Sequence, residues 1–69
     1  MFIVLVTALR SLYEDVRDIL NANGVVGHVD GMDDKDVMIS IMMTSRSAAK
    51  NLVVVLRDEG FARVEMITR

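Results

Sequence analysis

The residues with chemical potential are few and lie close together. His28 and Asp30 are two apart, and Asp30, Asp33, Asp34 and Asp36 place four of the ten acidic residues in one seven-residue stretch. A histidine and an aspartate two apart on a strand share a face, which is the placement an acid–base pair needs. No serine or cysteine nucleophile can be put beside them. Clustered carboxylates suit a hard cation such as calcium. The calcium-loop pattern fails here, because Gly31 comes too early and Ile41 stands where the closing glutamate belongs. Aspartates also favour turns, since their carboxylates accept from nearby backbone amides. The cluster therefore reads as a polar hairpin turn, and His28 as a histidine at a sheet edge. Arg10 and Arg46 fall at expected helix starts, where arginine can help hold an anion, and Tyr13 reads as a packing residue with a wet hydroxyl. With no glycine-rich phosphate loop and no convergent catalytic set, the reading is not an enzyme, with no catalytic residues, no metal site and no cofactor.

The elements that must position these residues follow from periodicity. Phe2 to Thr7 is an apolar, β-branched run and reads as a buried strand. Ser11 and Glu14 have capping-box spacing, and Leu12, Val16, Ile19 and Leu20 recur at helical intervals until Asn23-Gly24. Val25 to Asp30 reads as a second strand, with Val25, Gly27 and Val29 on one side. Gly31 to Asp36 reads as the hairpin connection. Val37, Ile39, Ile41 and Met43 then alternate with Met38, Ser40, Met42 and Thr44, a strong strand pattern. Ser45 or Thr44 can cap a second helix that runs to about Glu59 and rests on Ala48, Ala49, Leu52, Val53 and Leu56. Gly60 stops it, and Ala62 to Thr68 closes the chain as a strand. The expected class is α+β. The order βαββαβ gives a ferredoxin-like, four-stranded antiparallel sheet with two helices on one face.

The chain has 69 residues, 52% hydrophobic and 26% charged, with no cysteine and no proline. That length allows one domain, residues 1–69. No apolar run approaches the roughly 20 residues of a membrane span. A net charge of −2 and a pI near 5.1 argue against nucleic acid as partner. So does the third strand, which lacks the aromatic residues that stack bases. A metal-carrying domain of this order would offer paired thiols after its first strand, and Thr7 to Ser11 has none. A soluble cytoplasmic domain is the expectation.

Two helices cover one face of such a sheet and leave the other open. If Val37, Ile39, Ile41 and Met43 face the helices, Met38, Ser40 and Met42 face outward. The first strand is apolar in both registers, offering either Phe2, Val4 and Val6 or Ile3 and Leu5. The expected interface is Phe2, Val4, Val6, Met38, Ser40 and Met42, with Arg63 and Glu65 at the polar edge. Exposed apolar patches on small domains mark interaction surfaces, and flexible methionines suit them. The resulting expectation is a regulatory protein-binding module, an adaptor or small inhibitor, that forms a homodimer or engages another protein.

Tyr13, Val16, Ile19-Leu20 and Asn23-Gly24-Val25, followed by the helix from Ser45 and by Glu59-Gly60-Phe61, give the chain a resemblance to the ACT domain. ACT domains are small regulatory βαββαβ modules that sense amino acids. The resemblance implies that fold, a tendency to associate, and an effector site near Leu9, Arg10, Ser11, Val25 and Gly27.

Overall fold

Alternation of apolar residues along Phe2–Leu9 and Asp36–Met43 builds the two longest strands, and these become the centre of the sheet. In the computed structural model, which describes residues 1–69, the chain runs β1 (Phe2–Leu9), α1 (Tyr13–Ala22), β2 (His28–Met32), β3 (Asp36–Met43), α2 (Arg46–Asp58) and β4 (Val64–Thr68). A single 3-10 turn, Arg10–Leu12, joins β1 to α1. The strands lie in the order β2-β3-β1-β4, and every neighbouring pair is antiparallel. The fold is thus α+β, a four-stranded antiparallel sheet with two helices. Neither helix is long and apolar enough to cross a membrane.

One core joins the layers. Val4, Val6 and Ala8 of β1, Val37, Ile39 and Ile41 of β3 and Val64 of β4 are buried with Val16 and Leu20 of α1 and Ala49, Leu52 and Leu56 of α2. Both helices therefore rest on the sheet face that carries these residues. The Val53-Val54-Val55 run is helical despite its low helix propensity. Half-burial of Val53 against the core, with Val55 also partly covered, outweighs the few tenths of a kcal/mol that each β-branched residue costs.

This packing corrects the expected interface. Val4 pairs with Ile41 and Val6 with Ile39. Side chains that sit opposite each other across two strands share a face. Because Ile39 and Ile41 point to the helices, Val4 and Val6 must do so too, and they are 0% and 1% exposed. Phe2 shares their register and packs, half-buried, against the core. None of the three faces the open side. Ile3, Leu5 and Thr7 do.

Local signals hold in part. Ser45 caps α2, its Oγ accepting from the Ala48 amide at 3.2 Å. Ser11 caps nothing. It lies inside the 3-10 turn, and α1 begins at Tyr13 without a side-chain cap. Both helices end alike. Gly24 and Gly60 take φ of 72° and 101°, and the amides of Val25 and Phe61 reach back to the carbonyls of Leu20 and Leu56 at 3.0 Å. That bond removes Val25 from the second strand, so β2 starts at His28 rather than Val25 and runs on through Gly31 to Met32. β4 likewise starts at Val64 rather than Ala62.

Candidate interaction face

The register of the sheet fixes what the open face displays. His28 lies opposite Ser40, Ser40 opposite Leu5, and Leu5 opposite Glu65. These four residues form one transverse row. The next row toward the chain ends is Met42, Ile3 and Ile67. On the other side, Gly31, Met38 and Thr7 form a row that ends at Arg63, whose carbonyl accepts from the Thr7 amide at 2.9 Å. Met42, Met38 and Ile67 are 65%, 49% and 40% exposed, and Ile3 and Leu5 are half-buried among them. No helix or loop covers these side chains. The patch is apolar along its middle and charged at both edges.

The edges differ in detail. On β2, His28 Nε2 stands 3.9 Å from the Asp30 carboxylate, and both side chains are open to solvent. Asp30 is the extra residue of a bulge, because β3 pairs with Val29 and then with Gly31. Asp30 lies on the open face with His28. On β4, Arg63 lies 3.8 Å from Asp36 across the end of the sheet. Each edge strand has only five residues. A short strand with a bulge and a short strand with charged side chains resist edge-to-edge pairing.

The aspartate cluster is explained by its turn. One Asp33 carboxylate oxygen accepts from the amides of Lys35 and Asp36 at 2.8 and 2.7 Å, and the Asp33 amide donates to the Asp36 carbonyl at 3.0 Å. The two amide bonds favour the ionised carboxylate and hold the Asp33 pKa below the ordinary aspartate value, with a smaller contribution from the Arg10 charge. Arg10 also reaches the Asp33 carbonyl with one guanidinium nitrogen, at 3.5 Å. The side chain that is best placed to hold a cation is thus already closing the β2–β3 turn.

The residues of the expected effector site are divided between two places. Leu9 ends β1 and Arg10 opens the 3-10 turn beside the β2–β3 turn, and the Arg10 amide already donates to the Lys35 carbonyl at 2.8 Å. Ser11 is exposed on the 3-10 turn. Val25 and Gly27 lie in the link from α1 to β2. A cleft there runs past Tyr13, Leu20, Gly27 and Ile39, whereas Leu9 lines a different one with Leu12 and Phe61. Gly27 itself leaves little room, because a side chain at this position would run into those of Ile39 and Leu20.

One open-face residue, Ile67, has no mark in the sequence pattern, and the choice of Ile3 and Leu5 over Phe2, Val4 and Val6 was open. The available sign was Thr7. A hydroxyl in the odd register of β1 belongs on the wet side of the sheet, which brings Ile3 and Leu5 with it and puts Val4 and Val6 inside. Compared with models of known families and with curated proteins, the chain matches none of them.

Proposed function

We propose that this chain is a non-enzymatic interaction module of ferredoxin-like fold, which works by self-association through its open sheet face. As a dimer it would serve as a regulatory subunit, adaptor or small inhibitor of a larger assembly. The observation that carries the reading is the row structure of the face. Ile3, Leu5, Met38, Met42 and Ile67 come from three adjacent strands, lie on one side of the sheet, and have nothing over them.

Burying a methionine or isoleucine side chain completely is favourable by roughly 1.5–3 kcal/mol, and these residues begin about half covered. Five such side chains on each of two copies offer on the order of 10 kcal/mol, which competes with the 4–15 kcal/mol that association costs. At the lowest cost about 6 kcal/mol remains, which is a dimer that dissociates at tens of micromolar. A second copy is the simplest cover, since a two-fold axis matches a patch to itself.

Dilution followed by amide NMR tests the reading. Lowering the concentration from millimolar to micromolar should move the amides of Leu5, Met38 and Met42 and leave those of α1 and α2 in place. Concentration-dependent shifts confined to the helices would refute it. An amino-acid-sensing role of the ACT type makes a different forecast: melting temperature should rise with one member of a panel of amino acids and small metabolites. The interaction reading expects no rise.

A further inference from the structure

The sheet register gathers two metal donors that the sequence leaves far apart. We infer that His28 and Met42 form a two-coordinate site for a soft monovalent cation, copper(I) or silver(I), on the open face. The inference does not depend on self-association and goes beyond it by giving the face a ligand.

His28 lies opposite Ser40, and Met38 and Met42 flank Ser40 on the same face of β3. Both thioethers are therefore diagonal neighbours of the imidazole. Such neighbours have Cα atoms about 7–8 Å apart, a gap that long side chains bridge. A linear ion needs its donors roughly 4–5 Å apart, twice a metal–donor bond. Met42 rather than Met38 is the partner. His28, Asp30, Ser40 and Met42 line one hollow of the face, whereas Met38 lines another with Thr7 and Arg63. The pairing of β2 with β3 begins at His28, so no β2 residue stands opposite Met42. The Met42 thioether is left open on the side from which the imidazole approaches, and the His28 side chain is itself 82% exposed.

The donor set decides the class of ion. A thioether is soft and neutral and selects copper(I), and imidazole suits copper as well. Calcium and magnesium take oxygen donors, and zinc takes four ligands in a tetrahedron, which the hollow does not supply. Asp30, 3.9 Å from Nε2, stands where a carboxylate commonly supports a metal-bound histidine. It would receive the Nε2 proton and leave Nδ1 to the ion. Arg69 lines the same hollow, and its charge opposes a cation. One carboxylate against one guanidinium leaves no net negative charge for a divalent ion, which favours a monovalent one. The site is also separate from the end of β1, where Thr7 to Ser11 offers no thiol.

Silver(I) is the probe, because it shares the preference of copper(I) for soft donors and keeps its oxidation state in air. The wild-type chain in dilute, chloride-free solution is titrated with silver nitrate and followed by NMR of the methionine methyl groups and the histidine ring. The first equivalent should move the Met42 methyl and the His28 ring and leave the other methionines in place. Met42→Leu and His28→Gln should each weaken binding at least tenfold, since even an outer partner of a metal ligand is worth about 10–100-fold. Met38→Leu should bind as the wild type does. All three positions are exposed, so each variant should keep the native far-UV circular dichroism. Leucine keeps the face apolar, which separates lost silver(I) binding from lost self-association. Equal weakening in Met38→Leu and Met42→Leu would show silver(I) scattered over surface thioethers and would overturn the inference. So would full affinity in His28→Gln. Zinc(II) bound as tightly as silver(I) would also overturn it, by making the site a histidine–carboxylate pair.

Discussion

Gly27→Ala should destabilise the fold by about 1–3 kcal/mol, the usual cost of overpacking a filled core. A Cβ at Gly27 would lie 2.6 Å from Ile39 Cγ2 and 2.8 Å from Leu20 Cδ1. Carbon atoms rest at roughly 3.5–4.0 Å, so each contact is about 1 Å too short. Ile39 and Leu20 are each only 2% exposed, and Ile39 Cγ2 sits on a β-branched carbon that cannot move without turning the whole side chain. Turning one of them by some 30° from its rotamer costs about 0.5–1.5 kcal/mol, and both are crowded at once. The alternative is to lift the link between α1 and β2, which loosens the edge that carries His28. For a domain of this size, each kcal/mol lowers the melting temperature by about 4–8 °C. Urea unfolding followed by circular dichroism should show a lower midpoint with an unchanged slope. Gly31→Ala is the control. Nothing lies within 4 Å of its added methyl group, so it should change stability by less than about 1 kcal/mol. A Gly27→Ala protein as stable as the wild type would refute the close approach of α1, β2 and β3 at this point.

Further outcomes follow from the caps and the turn. Ser45→Ala should cost about 0.5–2 kcal/mol, because the Ala48 amide loses its acceptor. Equal stability by urea unfolding would show that water replaces the bond. The Asp33 carboxylate has a lowered folded-state pKa, so its contribution to stability is present above the unfolded value near 3.8 and is lost as pH falls through the folded value. Amide shifts of Lys35 and Asp36 should accordingly titrate with a midpoint below the ordinary aspartate range. A midpoint at or above it would contradict the bonds to Asp33. In Asp33→Ala that titration should vanish and stability should fall less on acidification.

The sheet was legible because its signals were redundant. β3 alternates over its whole length, and the glycines at 24 and 60 punctuate both helices where backbone geometry demands a left-handed residue. What remained hidden depended on tertiary contacts. β1 is apolar on both sides, so its own pattern cannot say which side is buried. Only its pairing with Ile39 and Ile41 decides that. The start of β2 was misplaced because the end of α1 draws in Val25 by a backbone bond that leaves no mark in side-chain pattern. Ser11 has the right partner at the right spacing for a capping box. The chain spends those residues instead on a tight turn out of β1. The open face was legible as an apolar surface through Met38 and Met42, while its full membership and its ordered edge charges required the register.

The measurement that bears most directly on the account is sedimentation equilibrium of the wild-type chain beside Met42→Lys. Met42 is the most exposed large residue at the centre of the open face, at 65%. A lysine there would bring an ammonium group, and its counterpart from the other copy, into the apolar middle of the interface. Near millimolar concentration the wild type should sediment at about twice the chain mass of 7.7 kDa, and Met42→Lys at the chain mass itself with its circular dichroism unchanged. A wild type that sediments as a monomer at that concentration, or a Met42→Lys protein that dimerises as tightly as the wild type, would contradict self-association through this face.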